Sequence, residues 1–320
     1  MNLLISPSSN PYENLAVEEF LLKNSTEDFI FLYVNRPCVV VGKHQITPKE
    51  INSNYTFENN IVIVRRLSGG GTVFQDEGNL NFSVIQSITP GSDFSYKILS
   101  RPIIEFLRQV GANVHLSDRN DIMLFDKKIS GSAMHIYKNR ALAHSTLLID
   151  CNLSTLSLSL QSNPERYKDK SIASIRSKVM NLSEAYNDFS VSYLLDLFTK
   201  FVGSEYQFTT IPSIPESYNF SISKLASEKY GTNEWIYGYS PKYTYKNTCE
   251  FNGNKIDYSL NIEKGIIIST HIESIIEQKN TIDLEFNQLI GKPHNITAFF
   301  VKNEITLSND FHHFLINSLF

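Results

Sequence analysis

The sequence predicts an α/β chain, with helices and strands interleaved up to residue 245 and a small α+β unit after it. Three observations predict this. Apolar residues recur at helical spacing in three separate stretches, near residues 14–23, 99–110 and 191–202. Short β-branched runs such as Ile61 to Val64 lie between them. An aromatic, polar stretch with Gly238 and Pro241 then precedes Asn252-Gly253, a hairpin-turn signal. The expected units are 1–245 and 246–320.

The elements follow in order. Asn14 to Lys23 reads as a helix with Tyr12, Leu15, Ala16, Phe20 and Leu22 on one broad apolar face. Glu19 projects into that face, which points to a misplaced boundary or a carboxylate at the edge of the stripe, with a buried carboxylate tied to a nearby loop as the alternative. Phe29 to Val34 and Val39 to Val41 are strands flanking the turn signal Asn35-Arg36-Pro37. Ile61 to Val64 is β-branched throughout, as in a strand buried on both faces. Asn81 to Ile85 is a further strand. A helix begins near Asp93, carries Leu99, Ile103, Leu107 and Val110 on one side, and stops at Gly111. Strands are expected at Ile122 to Phe125, Lys128 to Ala133 and Ala141 to Ile149. A helix from Val191 shows Leu194, Leu195, Phe198 and Val202 at helical spacing, and Phe208 to Tyr218 reads as irregular. A strand at Ile266 to Ser269 and helices ending near Phe314 and Leu315 complete the second unit.

Composition sets limits on function. The net charge of −4 excludes nucleic-acid binding through bulk positive charge. Cys38, Cys151 and Cys249 have no CxxC spacing, which argues against a disulfide framework or a structural zinc site. No spacing among His115, His144, His271 and His312-His313 suggests zinc either. Met1 to Pro7 has no charged n-region and no long apolar run. No apolar run is long enough to span a bilayer. A cytoplasmic protein that contacts neither membrane nor nucleic acid is expected.

The chemistry is most legible at Arg65-Arg66-Leu67-Ser68-Gly69-Gly70-Gly71-Thr72-Val73-Phe74, directly after a predicted strand. Three successive glycines remove every Cβ from the turn, so backbone N–H groups can approach an anion closely. The two arginines add forked positive charge. Neither the P-loop pattern GxxxxGK[ST] nor GxGxxG is present. The plainer alternative is a tight hairpin with solvated arginines. Three glycines beside paired arginines and Ser68 favour a binding loop.

A second segment runs from Asn120-Asp121 through Lys128 to Ala133. A two-residue turn at Asp126-Lys127 would pair Phe125 with Lys128 and Asp121 with Ser132. Asp121, Lys128, Ser130 and Ser132 would then share one sheet face. A lysine serves as a point charge on a phosphate, and an aspartate holds a hard cation. Gly131 within the strand suggests close approach by a ligand. A solvent-facing hairpin remains the alternative.

Together these segments resemble the lipoate–protein ligases of the biotin/lipoyl ligase superfamily. The glycine segment resembles RRxSGGGxVF. Asn120-Asp121 followed by Lys128-Ile129-Ser130-Gly131-Ser132-Ala133 resembles ND…K[VI]SGSA. His144-Ser145-Thr146-Leu147-Leu148 resembles HGTLL, and Ser174-Ile175-Arg176-Ser177-Lys178-Val179-Met180-Asn181-Leu182 resembles SVRSRVxNL. Asn14-Leu15-Ala16-Val17-Glu18-Glu19 resembles the NLAxEE opening. His135, Gln75 and Ser145 depart from the pattern, standing where arginine, histidine and glycine are common.

The resemblance implies a central mixed β-sheet flanked by helices, with a small C-terminal accessory domain. It implies adenylation of lipoate with Mg-ATP and transfer of the lipoyl group to a lysine of an acceptor. Lys128 would be catalytic. Arg66, Ser68, Gly69, Gly70, Gly71 and His144 would bind lipoate. Arg66, Gly71, Thr72, Val73, Phe74, Asn120, Asp121, Lys128, Ser177, Lys178 and Val179 would bind ATP or the adenylate, and Asp121 would help hold magnesium. Lipoate or octanoate would be the acid. Acceptors would be lipoyl domains of 2-oxoacid dehydrogenase complexes and the glycine-cleavage carrier protein. Two readings stand beside this one. An ATP-independent lipoyl or octanoyl transferase would use Cys151 as nucleophile, and a non-catalytic lipoyl-binding protein would keep only the fold.

Overall fold

A computed structural model describes residues 1–89, 96–175, 177–206, 208–211, 214–251, 254–274, 279–302 and 318–319. In chain order its strands are β1 (Asn2–Ile5), β2 (Phe29–Tyr33), β3 (Cys38–Val41), β4 (Val62–Arg65), β5 (Val73–Gln75), β6 (Asn79–Ser87), β7 (Val114–Leu116), β8 (Ile122–Leu124), β9 (Lys127–Tyr137), β10 (Arg140–Leu148), β11 (Tyr167–Lys168), β12 (Thr209–Ile211), β13 (Tyr243–Phe251), β14 (Asn254–Glu263) and β15 (Ile266–Ile272). They form three sheets. The largest has the order β12-β1-β2-β6-β10-β9-β8-β7, a second β4-β3-β5, and a third β11-β13-β14-β15. The large sheet is mixed, because β1 runs parallel to β2 and β12 while β2, β6, β10 and β9 pair antiparallel.

Helices cover both faces of the large sheet. Helices Tyr96–Gln109 and Val191–Glu205 bury Ile103, Leu107, Leu194 and Phe198 against Phe82, Val84 and Leu147. Ser190 caps the second by accepting the Tyr193 N–H. Helix Pro11–Asn24 covers the other face, packing Leu15, Leu21 and Leu22 with Phe31 and Leu142. Asn10 caps it and Pro11 supplies the preset φ of the first turn. The β4-β3-β5 sheet packs on this side through Cys38, Val40 and Val64, and its other face buries Val39, Val41 and Phe74.

Several expectations are corrected. Glu19 is not a stripe-edge carboxylate. It is 4% exposed and bonded to Lys23, Lys229 and Tyr230, so a cation pair carries it into the core. The strand after Ile61 is not buried on both faces, since β4 is an edge strand with Val62 and Ile63 half-buried. The stretch Phe208 to Tyr218, expected to be irregular, contains β12, an edge strand on β1, and the start of helix Glu216–Leu225. The hairpin turn lies one residue earlier than expected. Leu124 pairs with Lys127, and Phe125 adopts φ 54°. A register shift then sets Ile122 opposite Ser130. β13 starts at Tyr243 and pairs with β11. Asp93, the Asn252-Gly253 turn, His312-His313 and the region around Phe314 and Leu315 lie outside the described residues.

Candidate active site

The glycine loop joins β4 to β5, and two buried arginines shape it. Arg65 is fully buried and donates to seven acceptors: the carbonyls of Gly42, Lys43, Gln45, Trp235 and Ile236 and the hydroxyls of Thr47 and Ser240. No carboxylate pairs with it among the described residues. Arg65 therefore does not reach a ligand, and its charge is spread over carbonyl dipoles. Arg66 donates from Nη2 to the Gly69 and Gly71 carbonyls, both at 2.7 Å, from Nη1 to Val40 O, and from Nε to Ser68 Oγ. Burial pulls the pKa of each guanidinium down to about 10, and both remain charged at neutral pH.

The loop has little room to move. A Cβ on Gly42 would overlap the Gly70 carbonyl oxygen, and one on Gly71 would lie 3.2 Å from Ser174 Oγ. Gly70 has φ 88°, a conformation side chains resist. Thr72 N–H donates to Ser174 Oγ at 2.9 Å, and Ser174 in turn donates to buried Glu50. Gln45, fully buried, ties the same parts together. Its amide N–H groups donate to Ile172 O and Ser174 Oγ, and its carbonyl oxygen accepts from Gly42 N and Thr72 Oγ1.

Opposite the loop, Lys128 Nζ lies 2.9 Å from Asp121 Oδ1. A Cβ on Gly131 would sit 3.5 Å from that ammonium and 3.6 Å from Val73 Cγ1, so Gly131 opens the space between β9 and β5. Gly70, Gly71, Lys128, Asp121, Gly131 and His144 line one cavity of about 320 Å³. That is at the small end of the range for small-molecule sites. Leu15, Tyr33 and Val40 give it an apolar part.

The sequence-derived residues distribute unevenly. Arg66, Gly70, Gly71, Thr72, Val73, Asp121, Lys128, His144 and Ser177 line the cavity. Ser68 does not, being fully buried between Arg66 and His144. Gly69 contributes a carbonyl to Arg66. Phe74 points to the other face of its strand, into the core with Val39 and Val41. Asn120, at φ 63°, shapes the turn and accepts from Ser132 Oγ. Lys178 is exposed, and its carbonyl accepts from Lys128 N, while Val179 bridges to the Lys128 backbone. Ser130 is fully buried and does not share the lysine's surface. Ser174, which opens the Ser174 to Val179 segment that the resemblance sets over the adenylate, lines the cavity, while Arg119, Gln45 and Glu50 carry no such expectation. The signal for Arg119 is its place beside Asn120-Asp121, whereas Gln45 and Glu50 have no local signature. Cys151 is 4% exposed and outside the cavity lining, and burial pushes its thiol well above the ordinary range.

A cleft with a cation, a carboxylate and a Cβ-free turn suits an enzyme that handles a phosphate or carboxylate. Comparison with known proteins agrees. Residues 10–202 match the lipoyl protein ligase A/B catalytic domain. The chain is similar to lipoate–protein ligase 1 of Staphylococcus aureus, with 36% identity over 90% of this chain and 88% of that one. It is similar to the lipoate–protein ligase LplJ of Bacillus subtilis, with 35% identity over 89% and 88%. Among solved structures, a lipoate–protein ligase A bound with ATP superposes with TM-score 0.63 and 25% identity, over 74% of this chain and 98% of that one. The lipoate complex of LipL1 from P. falciparum shares the fold over 98% and 97%, with TM-score 0.65 and 24% identity. The chain belongs to the lipoyl protein ligase A/B family.

Proposed function

We propose that the protein is an ATP-dependent lipoate–protein ligase that adenylates lipoate and passes the lipoyl group to a lysine of an acceptor protein. The observation that carries this reading is the Lys128–Asp121 pair on one wall of a cavity whose other wall is Gly70-Gly71. A carboxylate bound there meets an ammonium and backbone donors, with an apolar compartment for its chain.

In the first half-reaction a lipoate oxygen attacks the α-phosphorus of ATP, and pyrophosphate leaves. Lys128 neutralises oxyanion charge, and the loop N–H groups hold the reactants in line. In the second, an acceptor amine attacks the mixed anhydride carbonyl and AMP leaves, with charge again developing beside Lys128. We assign Arg66, Ser68, Gly69, Gly70, Gly71 and His144 to lipoate, Ser68 and Gly69 acting through the loop they brace. Thr72, Val73, Asn120, Ser177, Lys178 and Val179 are assigned to the nucleotide. Phe74 is assigned no contact, because its ring is buried away from the cavity.

Magnesium fits the donor set. Among the described residues no cluster of three metal-binding side chains occurs. Asp121 offers one carboxylate, as expected for an ion held mainly by substrate phosphates. When bound, magnesium supplies charge neutralisation on the leaving pyrophosphate. The acid is lipoate or octanoate, and the acceptors are lipoyl domains and a glycine-cleavage carrier. We place the protein in the cytoplasm. Among the described residues no helix is long and apolar enough to cross a membrane. We also propose a catalytic unit to residue 245 and an accessory unit beyond it.

The test is lipoate-dependent exchange of pyrophosphate into ATP, followed by mass spectrometry of an acceptor domain with lipoate and Mg-ATP. A lipoyl mass increment that needs ATP is expected. Modification without ATP, or no exchange, refutes the reading.

A further inference from the structure

Glu18 is 2% exposed and takes part in none of the steps above. Three donors converge on it. Tyr33 OH donates to Oε1 at 3.0 Å, Ser83 Oγ donates to the same oxygen, and His144 Nδ1 lies 3.0 Å from Oε2. His144 Nε2 is 2.6 Å from Ser68 Oγ, and Arg66 Nε donates to that oxygen at 3.0 Å.

The proton positions follow from the chemistry of the groups. A guanidinium N–H only donates, so Ser68 Oγ accepts from Arg66, and we assign its own hydrogen to His144 Nε2. Nε2 is then the acceptor, and Nδ1 carries the proton and donates to Glu18. Only an acceptor-only group satisfies all three donors around Glu18. An amide there would either set its NH₂ against His144 Nδ1–H or make Tyr33 and Ser83 turn their hydroxyl hydrogens away and accept from it, so the three present donors would no longer all be served.

The other end of the chain is the glycine loop. Arg66 Nη2 holds the Gly69 and Gly71 carbonyls. Across a planar trans peptide the following N–H points the opposite way. The Gly70 and Thr72 N–H groups are therefore turned away from Arg66, toward the side where Thr72 meets Ser174. Thr72 N–H is already held by Ser174 Oγ, so Gly70 N–H is the donor left for a bound anion.

We propose that Glu18 is a positioning residue for the reaction: through His144, Ser68 and Arg66 it fixes the direction of the Gly70 and Thr72 N–H donors. The proposal rests on the ligase reading for its catalytic consequence, although the loop geometry does not. Glu18 touches no reacting atom in this scheme. It acts by leaving one hydrogen-bond direction available at each link.

The test uses the full chain with Glu18→Gln, Ser68→Ala and their combination. Glu19→Gln is the control, removing a carboxylate equally buried on the same helix but bonded to Lys23, Lys229 and Tyr230. Amide hydrogen exchange at residues 69–72 is expected to rise about tenfold or more in Glu18→Gln and to stay within about twofold of wild type in Glu19→Gln. In steady state, kcat/KM for lipoate is expected to fall roughly 10- to 100-fold in Glu18→Gln. The double variant is expected to be no worse than about twofold below Ser68→Ala, because both changes cut one chain. If Glu18→Gln fails to fold, Ser68→Ala must still raise exchange at 69–72. Wild-type exchange at 69–72 in either single variant, or losses that multiply, would overturn the relay. Absence of lipoate-dependent turnover in the wild type would instead count against the ligase reading, and the exchange data would still decide the positioning.

Discussion

Gly42 lies outside every sequence motif, yet its missing side chain sets where the glycine loop sits. A Cβ there would overlap Gly70 O and lie 3.0 Å from Gln45 Oε1 and 3.1 Å from Gly70 C. Carbon and oxygen make contact near 3.4 Å, so in Gly42→Ala the loop must retreat by roughly an ångström. Retreat in the other direction is blocked, because the Gly42 carbonyl accepts from Arg65 and its N–H donates to Gln45. The loop would then move relative to Lys128, and a misplacement of about 1 Å can cost about 100-fold in rate. Overpacking adds about 1–3 kcal/mol of destabilisation. The assay is lipoate-dependent pyrophosphate exchange on folded protein, paired with thermal unfolding. We expect kcat/KM to fall about 100-fold with a smaller loss of stability. Activity within threefold of wild type would show that Gly70 is not pinned by Gly42.

Further predictions follow from the same geometry. Lys128→Ala is expected to lose both half-reactions by about 1000-fold, and full adenylate formation by the variant would remove its catalytic role. Arg65→Lys supplies three donors where five N–H groups now serve seven acceptors. It should cost about 3 kcal/mol or more in denaturant unfolding, and a loss under 1 kcal/mol contradicts the cage. Burial lowers the pKa of His294 to about 4, against an unfolded value near 6.5. The unfolded chain thus binds the extra proton as pH falls from about 6.5 to 4, and stability drops by about 3 kcal/mol across that window. His294→Gln should flatten this part of the pH–stability curve, and an unchanged slope argues against the assignment. Cys151→Ser should keep turnover within about threefold, whereas abolished transfer would favour a thioester mechanism.

The segments that announced the chemistry are contiguous in sequence. The triple glycine, Asp121 and Lys128 could be named because each signal lies within one turn or strand. The helix starting after Ser190 was legible for the same reason. What stayed hidden depends on distant pairing. Glu19 reads as misplaced until Lys229 and Tyr230 arrive from more than 200 positions away. Arg65 and Arg66 look alike in sequence. Alternation along β4 and into the loop sends one to the segment around Trp235 and the other to the glycine carbonyls. Strand β1 and the edge strand β12 are short and carry little periodicity, so only their pairing identifies them. The hairpin register slipped because Phe125 accepts a left-handed backbone that composition gives no reason to expect.

Residues 171–175 and 177–179, which cover the cavity, are fastened at both ends. Upstream, β11 hydrogen-bonds to β13, and Asp169 holds Lys49 at 2.7 Å. Downstream, the Lys128 peptide N–H donates to Lys178 O, and Met180 N–H donates to Lys128 O. These residues are thus anchored on one side to the C-terminal sheet and on the other to the backbone of Lys128. The wall of the cavity and the backbone at position 128 are thereby joined to one sheet, so a substitution that loosens β11 from β13 should change the cavity mouth and the Lys128 backbone together.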